Sequence, residues 1–143
     1  MAEGAVSAEN PFGDGPLVRR VSKLVGHINA ANAELVAALG EVLATESWQV
    51  VGIRSPEHWV TWRCGVSPAH ARRLVAAARR LAELPETRAV FASGEIGEDQ
   101  VAEIVRSGAG AAQDPQVAEL ARYATVPQLR RVLPGLPRPA PGT

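Results

Sequence analysis

Within 26 residues, Ser55 to Arg80, the chain writes Ser-Pro-x-His twice: SPEHWVTWRCGVSPAHARRLVAAARR. Ser is a strong helix N-cap, because its hydroxyl accepts one of the orphan amides of the first turn. Pro at the first helical position costs nothing, since no hydrogen bond is lost there. Two helix starts twelve residues apart leave room for one short helix, from Pro56 to about Cys64, and for a second from Pro68 to Leu84. Cys64-Gly65-Val66-Ser67 connects them, and so short a link containing Gly forces a sharp corner. This constraint predicts a helix-turn-helix over about 55–84.

The apolar spacing agrees. With Gly65 as the turn glycine, the positions that must meet in a small shared core hold Val60, Cys64, Val66, Ala71 and Leu74, and Val75, Ala78 and Leu81 continue that face. One position departs: where the helices approach most closely, Ala or Gly is favoured and Thr61 stands instead. Its hydroxyl can bond the carbonyl of the preceding turn. The outward positions of the second helix are Ala69, His70, Arg72, Arg73, Ala76, Ala77, Arg79 and Arg80. Arg72 and Arg79 are seven apart, as are Arg73 and Arg80, so two rows of guanidinium groups rise from a face kept low by alanine. Guanidinium forks onto guanine edges and phosphate oxygens, and the helix N-terminus, with Ser67 and His70, adds a positive dipole end. Ala69, His70 and Arg73 are expected nearest the bases, Arg79 and Arg80 nearest the backbone, and Arg63 is expected to assist. The alternative for the same face is a solvated charged surface that binds nothing.

Charge supports this only locally. The chain has 15 basic and 15 acidic residues, so net charge argues for no partner. Between Arg54 and Gly94, however, seven arginines stand against three glutamates. Aromatics make up 4% of the chain, so a core must be built from Ala, Leu and Val, which suits close-packed helices. Arginine with abundant alanine suggests a GC-rich genome. The single Cys64 excludes an internal disulfide and fits a reducing cytoplasm. No signal peptide and no membrane-spanning run is expected.

The remaining segments read as helices. The first runs from about Pro16 to Thr45, where Leu17, Val21, Leu24, Ile28, Ala31, Leu35, Ala38 and Val42 alternate steps of four and three. Val25, Leu39 and Leu43 widen this heptad seam. Two readings of it stand: a face buried on its own domain, or a seam (Leu17, Val21, Leu24, Ile28, Leu35, Val42) that pairs with a second copy. QVVGI, residues 49–53, is expected to be a turn whose apolar residues plug the core, with Trp48 as an anchor. Trp59 and Trp62 are expected to pack against the long helix. Short helices follow at Glu86–Ser93 and Glu98–Ser107, with a small-residue loop over 108–113. Another starts at Asp114-Pro115, with Asp114 as N-cap, and a last one at Thr125 carries Leu129, Val132 and Leu133. Residues 1–15 read as a mobile leader, 16–133 as one all-α domain, and 134–143 as an extended Pro-rich tail.

GVSPAHARRLVAAARRLAELP followed by ASGEIGEDQVAEI resembles the helix-turn-helix region of ParB-type chromosome-partitioning proteins, with an Arg-rich helix about one turn longer than theirs. A broader resemblance covers about Pro16 to Leu133: a long Leu/Ala helix, a Trp, the segment from Ser55 to Val105, then ATVPQLRR. It is similar to the actinobacterial domain of unknown function 222, in the mycobacterial 13E12 repeat family. Trp59, Trp62, Arg63, Gly65, Ser67, Arg72, Leu84, Pro85, Gly94 and Gln100 fall on that pattern. Such proteins commonly carry an HNH endonuclease domain after this region. Here His27, His58 and His70 are in no HNH arrangement and no cysteine pair is present to hold zinc. The resemblance therefore implies a non-catalytic accessory module, directed to double-stranded DNA, without cofactor or metal; a truncated relic of a longer nuclease is a further possibility. The competing expectation is a protein-interaction or homodimerisation module without DNA contact. Glu95, Glu98, Asp99 and Glu103 cluster at a helix start, where the helix dipole accounts for acids.

Overall fold

The computed structural model describes residues 15–137. The expected leader therefore lies outside the described residues except for Gly15, and the tail does so beyond Pro137. The fold is all-α, with seven α-helices among the described residues: α1 Pro16–Thr45, α2 Pro56–Cys64, α3 Pro68–Arg80, α4 Pro85–Ala92, α5 Glu98–Arg106, α6 Asp114–Ala121 and α7 Val126–Val132. Single 3₁₀ turns follow α3 (Leu81–Glu83) and α7 (Leu133–Gly135). None of these helices is long and apolar enough to cross a membrane.

Pro16 opens α1, and Glu46 ends it in the left-handed region at φ 56°, ψ 29°. Its 30 residues span about 45 Å at 1.5 Å per residue. The covered face consists of Ala33, Val36, Leu39 and Leu43, all in the second half of the helix and packed on the core. The core reading of the apolar stripe holds for Leu39 and Leu43 and is corrected for most of the seam itself. Leu17, Val21, Leu24 and Ile28 are 50–71% exposed, Leu35 is 36% exposed, and Val42 is half-buried. The reason is backbone proximity. The domain seats itself where α1 presents small residues, a third of a turn or more away from the seam. Gly40 lies under the carbonyl of Ala78, and Gly26 lies against Gly94. A Cβ on Gly94 would stand 2.5 Å from the Gly26 carbonyl oxygen, and Gly94 is at φ +88°. Asn29 Nδ2 donates to the Gly94 carbonyl at 3.1 Å and fastens the crossing.

The core proper lies between α3, α4, α5, α6 and α7, around Phe91, Leu74, Leu84, Ile96, Val101, Ile104, Val117, Leu129 and Leu133, each at most 2% exposed. Polar side chains tie its layers together. Gln100 accepts from the Gly97 amide at the start of α5 and donates to the carbonyls of Ala121 and Ala124 at the end of α6. Thr125 and Gln128 form a reciprocal capping box at the start of α7.

Asp114 differs from its expected role. Its side chain does not cap its own helix, which begins at Asp114 without a side-chain cap. The carboxylate is buried, at 2% exposure, and instead accepts from the amides of Glu86 and Thr87 and from the Thr87 hydroxyl, at 2.7, 3.0 and 2.7 Å. The position before α4 is Leu84, which offers no side-chain acceptor, so the open amides of α4 draw one from a distant segment.

Three further expectations are corrected. Val50 and Val51 point outward, Val51 fully, so they plug nothing, and only Ile53 of that turn is half-buried. Of the two tryptophans expected against the long helix, Trp59 is half-buried on the core cluster, and Trp62 is 61% exposed. The chain also keeps packing past Leu133: Leu136 rests on the core, and Gln113 Nε2 donates to the Pro137 carbonyl at 3.1 Å.

Asp114→Ala leaves two amides and a hydroxyl without an acceptor inside the core. It is expected to cost about 3–5 kcal/mol in urea unfolding at pH 7, and Asp114→Asn roughly half of that. Gly94→Ala combines left-handed strain with overlap of the α1 backbone, so it is expected to lower the melting temperature more than Gly135→Ala, where the added carbon meets nothing.

Candidate nucleic-acid interface

The corner forms as its caps require. Ser55 Oγ accepts from the His58 amide at 3.0 Å, and Ser67 Oγ accepts from the His70 amide at 3.1 Å. Gly65 turns the chain at φ 67°, ψ 36°. A Cβ there would meet nothing, so conformation and not space demands glycine. Val60, Ala71 and Leu74 are at most 2% exposed where α2 meets α3, with Cys64 and Val66 packed at the margin. Thr61 Oγ1 donates to the Glu57 carbonyl at 2.9 Å, so the departure from a small residue is absorbed by its own helix. Burial pushes the Cys64 thiol up, against the charge of neighbouring Arg63, and its side chain packs against the core.

On α3 the eight positions expected to face outward separate into different fates, and one of them, Ala77, is 2% exposed and belongs to the core. Ala69 and Arg72 are exposed, and Arg73 and Ala76 are half-buried. Among the described residues, neither Arg72 nor Arg73 makes a hydrogen bond or ion pair. Together with Ala69, Ala76, Ala102, Val105 and Arg106 they line a shallow groove of about 310 Å³ between α3 and α5. Arg106 is a member that sequence reasoning missed. It lies on another helix, and its only signal was a basic residue in the last turn of α5.

The other expected contacts are engaged inside the protein. Arg80 Nη2 donates to the Ala109 carbonyl at 2.7 Å, its Nη1 lies 3.4 Å from Glu83, and its buried Nε has no partner. It serves as a strut that holds the 108–113 loop. Arg79 is more loosely held, 3.7 Å from Glu57 and 56% exposed. His70 Nε2 lies 2.7–2.9 Å from the Glu98 carboxylate, which places an acid beside the α3 N-terminus. That acid offsets the positive dipole end expected there. Ser67 is occupied as a cap, and the Arg63 guanidinium lies 5.9 Å over the Trp62 ring. No three metal-ligating side chains converge among the described residues.

Glu103 fixes the outer wall of the groove. Its carboxylate is 6% exposed and accepts from Arg106 at 2.6 Å and from Arg130 of α7 at 2.9 Å. The hydrogen bond from Arg130 leads in holding the Glu103 carboxyl below its ordinary range, with help from the nearby Arg106 charge and against the cost of burial. A depressed carboxyl stabilises the fold at pH above its unfolded value, about 4.3, and loses that contribution as pH falls through the lower folded value. Glu103→Gln is therefore expected to cost about 1.5–3 kcal/mol at pH 7, with the difference from wild type shrinking below about pH 4, as read by denaturant unfolding across pH.

No curated protein and no solved structure matches the chain. The family model described as Domain of unknown function (DUF222) matches residues 17–136, which takes in α1, the corner, the groove and the last packed residue, Leu136. The chain belongs to the DUF222 family.

Proposed function

We propose that this domain is a non-catalytic module for double-stranded DNA, reading α2 and α3 as a helix-turn-helix whose second helix faces the duplex. The observation that carries the reading is the pairing state of the α3 arginines. Arg80 is tied to Ala109, and Arg79 is drawn toward Glu57, but adjacent Arg72 and Arg73 have no counter-charge within the described protein. Two neighbouring guanidinium groups repel each other, and an external polyanion relieves that repulsion. Ala69 and Ala76 keep the surrounding surface low, so a major groove, wide enough for an α-helix, can approach closely.

The contact set is accordingly narrower than the sequence suggested. Arg72 and Arg73 lead, Arg106 joins from α5, and Arg79 and Arg63 stand at the edges within reach of phosphates. His70 contributes by fixing the start of α3 through Glu98. The module works in the cytoplasm as the DNA-directed companion of HNH nuclease chemistry carried by other members of its family.

The test is fluorescence anisotropy of a labelled duplex of about 25 base pairs at two salt concentrations. Affinity is expected to fall steeply with salt. Arg72→Ala with Arg73→Ala should weaken binding about tenfold or more and flatten the salt slope by about two. Arg88→Ala, an exposed arginine on α4, should leave binding unchanged. Binding that is indifferent to salt, or that survives the double substitution, would falsify this reading.

A further inference from the structure

The uncovered face of α1 presents a second question, independent of DNA. Leu17, Val21, Leu24 and Ile28 repeat at heptad spacing and are at least half exposed, and Leu35 continues the row at 36%. Ala31 and Ala38, both exposed, interrupt it with small side chains that let another helix come close. A row of this kind is the seam of a two-helix pair.

Charge along α1 selects the partner. The basic residues Arg19, Arg20 and Lys23 fall in its first half, and the acids Glu34 and Glu41 in its second. One flank of the seam carries Arg20, His27, Glu34 and Glu41 at steps of seven. A parallel copy would lay the basic ends side by side. An antiparallel copy lays each basic half against an acidic half, so this helix is complementary to itself reversed.

We propose that α1 pairs antiparallel with α1 of a second copy about a two-fold axis near Gly26. Leu17 then packs against Leu35 of the second copy, Val21 against Ala31, and Leu24 against Ile28. In that register Arg20 meets Glu34 of the other copy, and symmetry makes the contact twice. Each domain meets its own α1 from Gly26 onward, so the two bodies extend from the axis toward opposite ends of the pair.

The test measures the mass of the full chain in solution by sedimentation at about 100 μM, well above the micromolar Kd of a weak interface. The wild type should be a dimer. Leu24→Asp with Ile28→Asp should give a monomer with an unchanged melting profile, since both side chains are already exposed. Arg20→Glu alone and Glu34→Arg alone should each weaken the dimer about tenfold, and the two together should restore it. A monomeric wild type overturns the proposal and leaves residues 1–14 or a different protein as the cover. A dimer that survives the double aspartate change overturns it as well. Failure of the paired reversal to restore association refutes the antiparallel register.

Discussion

The long helix and the bundle are held together where they have almost no side chain between them. Gly26 and Gly94 bring two backbones into contact, Asn29 bonds across the same point, and Gly40 admits the Ala78 carbonyl nearby. Backbones this close leave no room for a large aliphatic residue at the crossing itself, and Leu17, Val21, Leu24 and Ile28 lie elsewhere on the circumference of α1. The position of this crossing decides which half of α1 becomes scaffold and which half extends past the bundle. It also sets the angle from which α3 and α4 pack on Ala33, Val36 and Leu39.

Within the bundle, arginine is divided between architecture and surface by the nearest available acceptor. Arg80 finds a carbonyl, and Arg130 and Arg106 share Glu103. Arg122 bridges Glu95 and Glu119. Arg72 and Arg73 are left over because the helix opposite them, α5, turns Ala102 and Val105 toward the groove.

Features governed by neighbours in sequence were legible from sequence. The Ser caps, the Gly65 corner, the span of α1 and the small core of Val60, Ala71 and Leu74 all follow from spacings of four residues or fewer and from the conformational needs of Pro and Gly. Partners chosen across the fold were not legible. Nothing near Asp114 indicates that its carboxylate serves α4, and nothing near His70 indicates Glu98. Periodicity showed that α1 has an apolar stripe but could not show whether the stripe is covered, because the close approach at Gly26 and Gly40 outweighs the attraction of a wider hydrophobic face. The groove was half visible: Arg72 and Arg73 stood out on α3, while Arg106 entered only through the packing of α5.

The remote cap on α4 bears on how the chain comes into being. A ribosome delivers residues in order, and the first turn of α4 emerges 27 residues before the carboxylate that closes it. Until Asp114 has cleared the exit tunnel, the amides of Glu86 and Thr87 have only water to bind. The stretch between them, which carries α5, is consequently born as a loop awaiting closure. A nascent chain arrested before Asp114 would hold the corner with the first turn of α4 still uncapped.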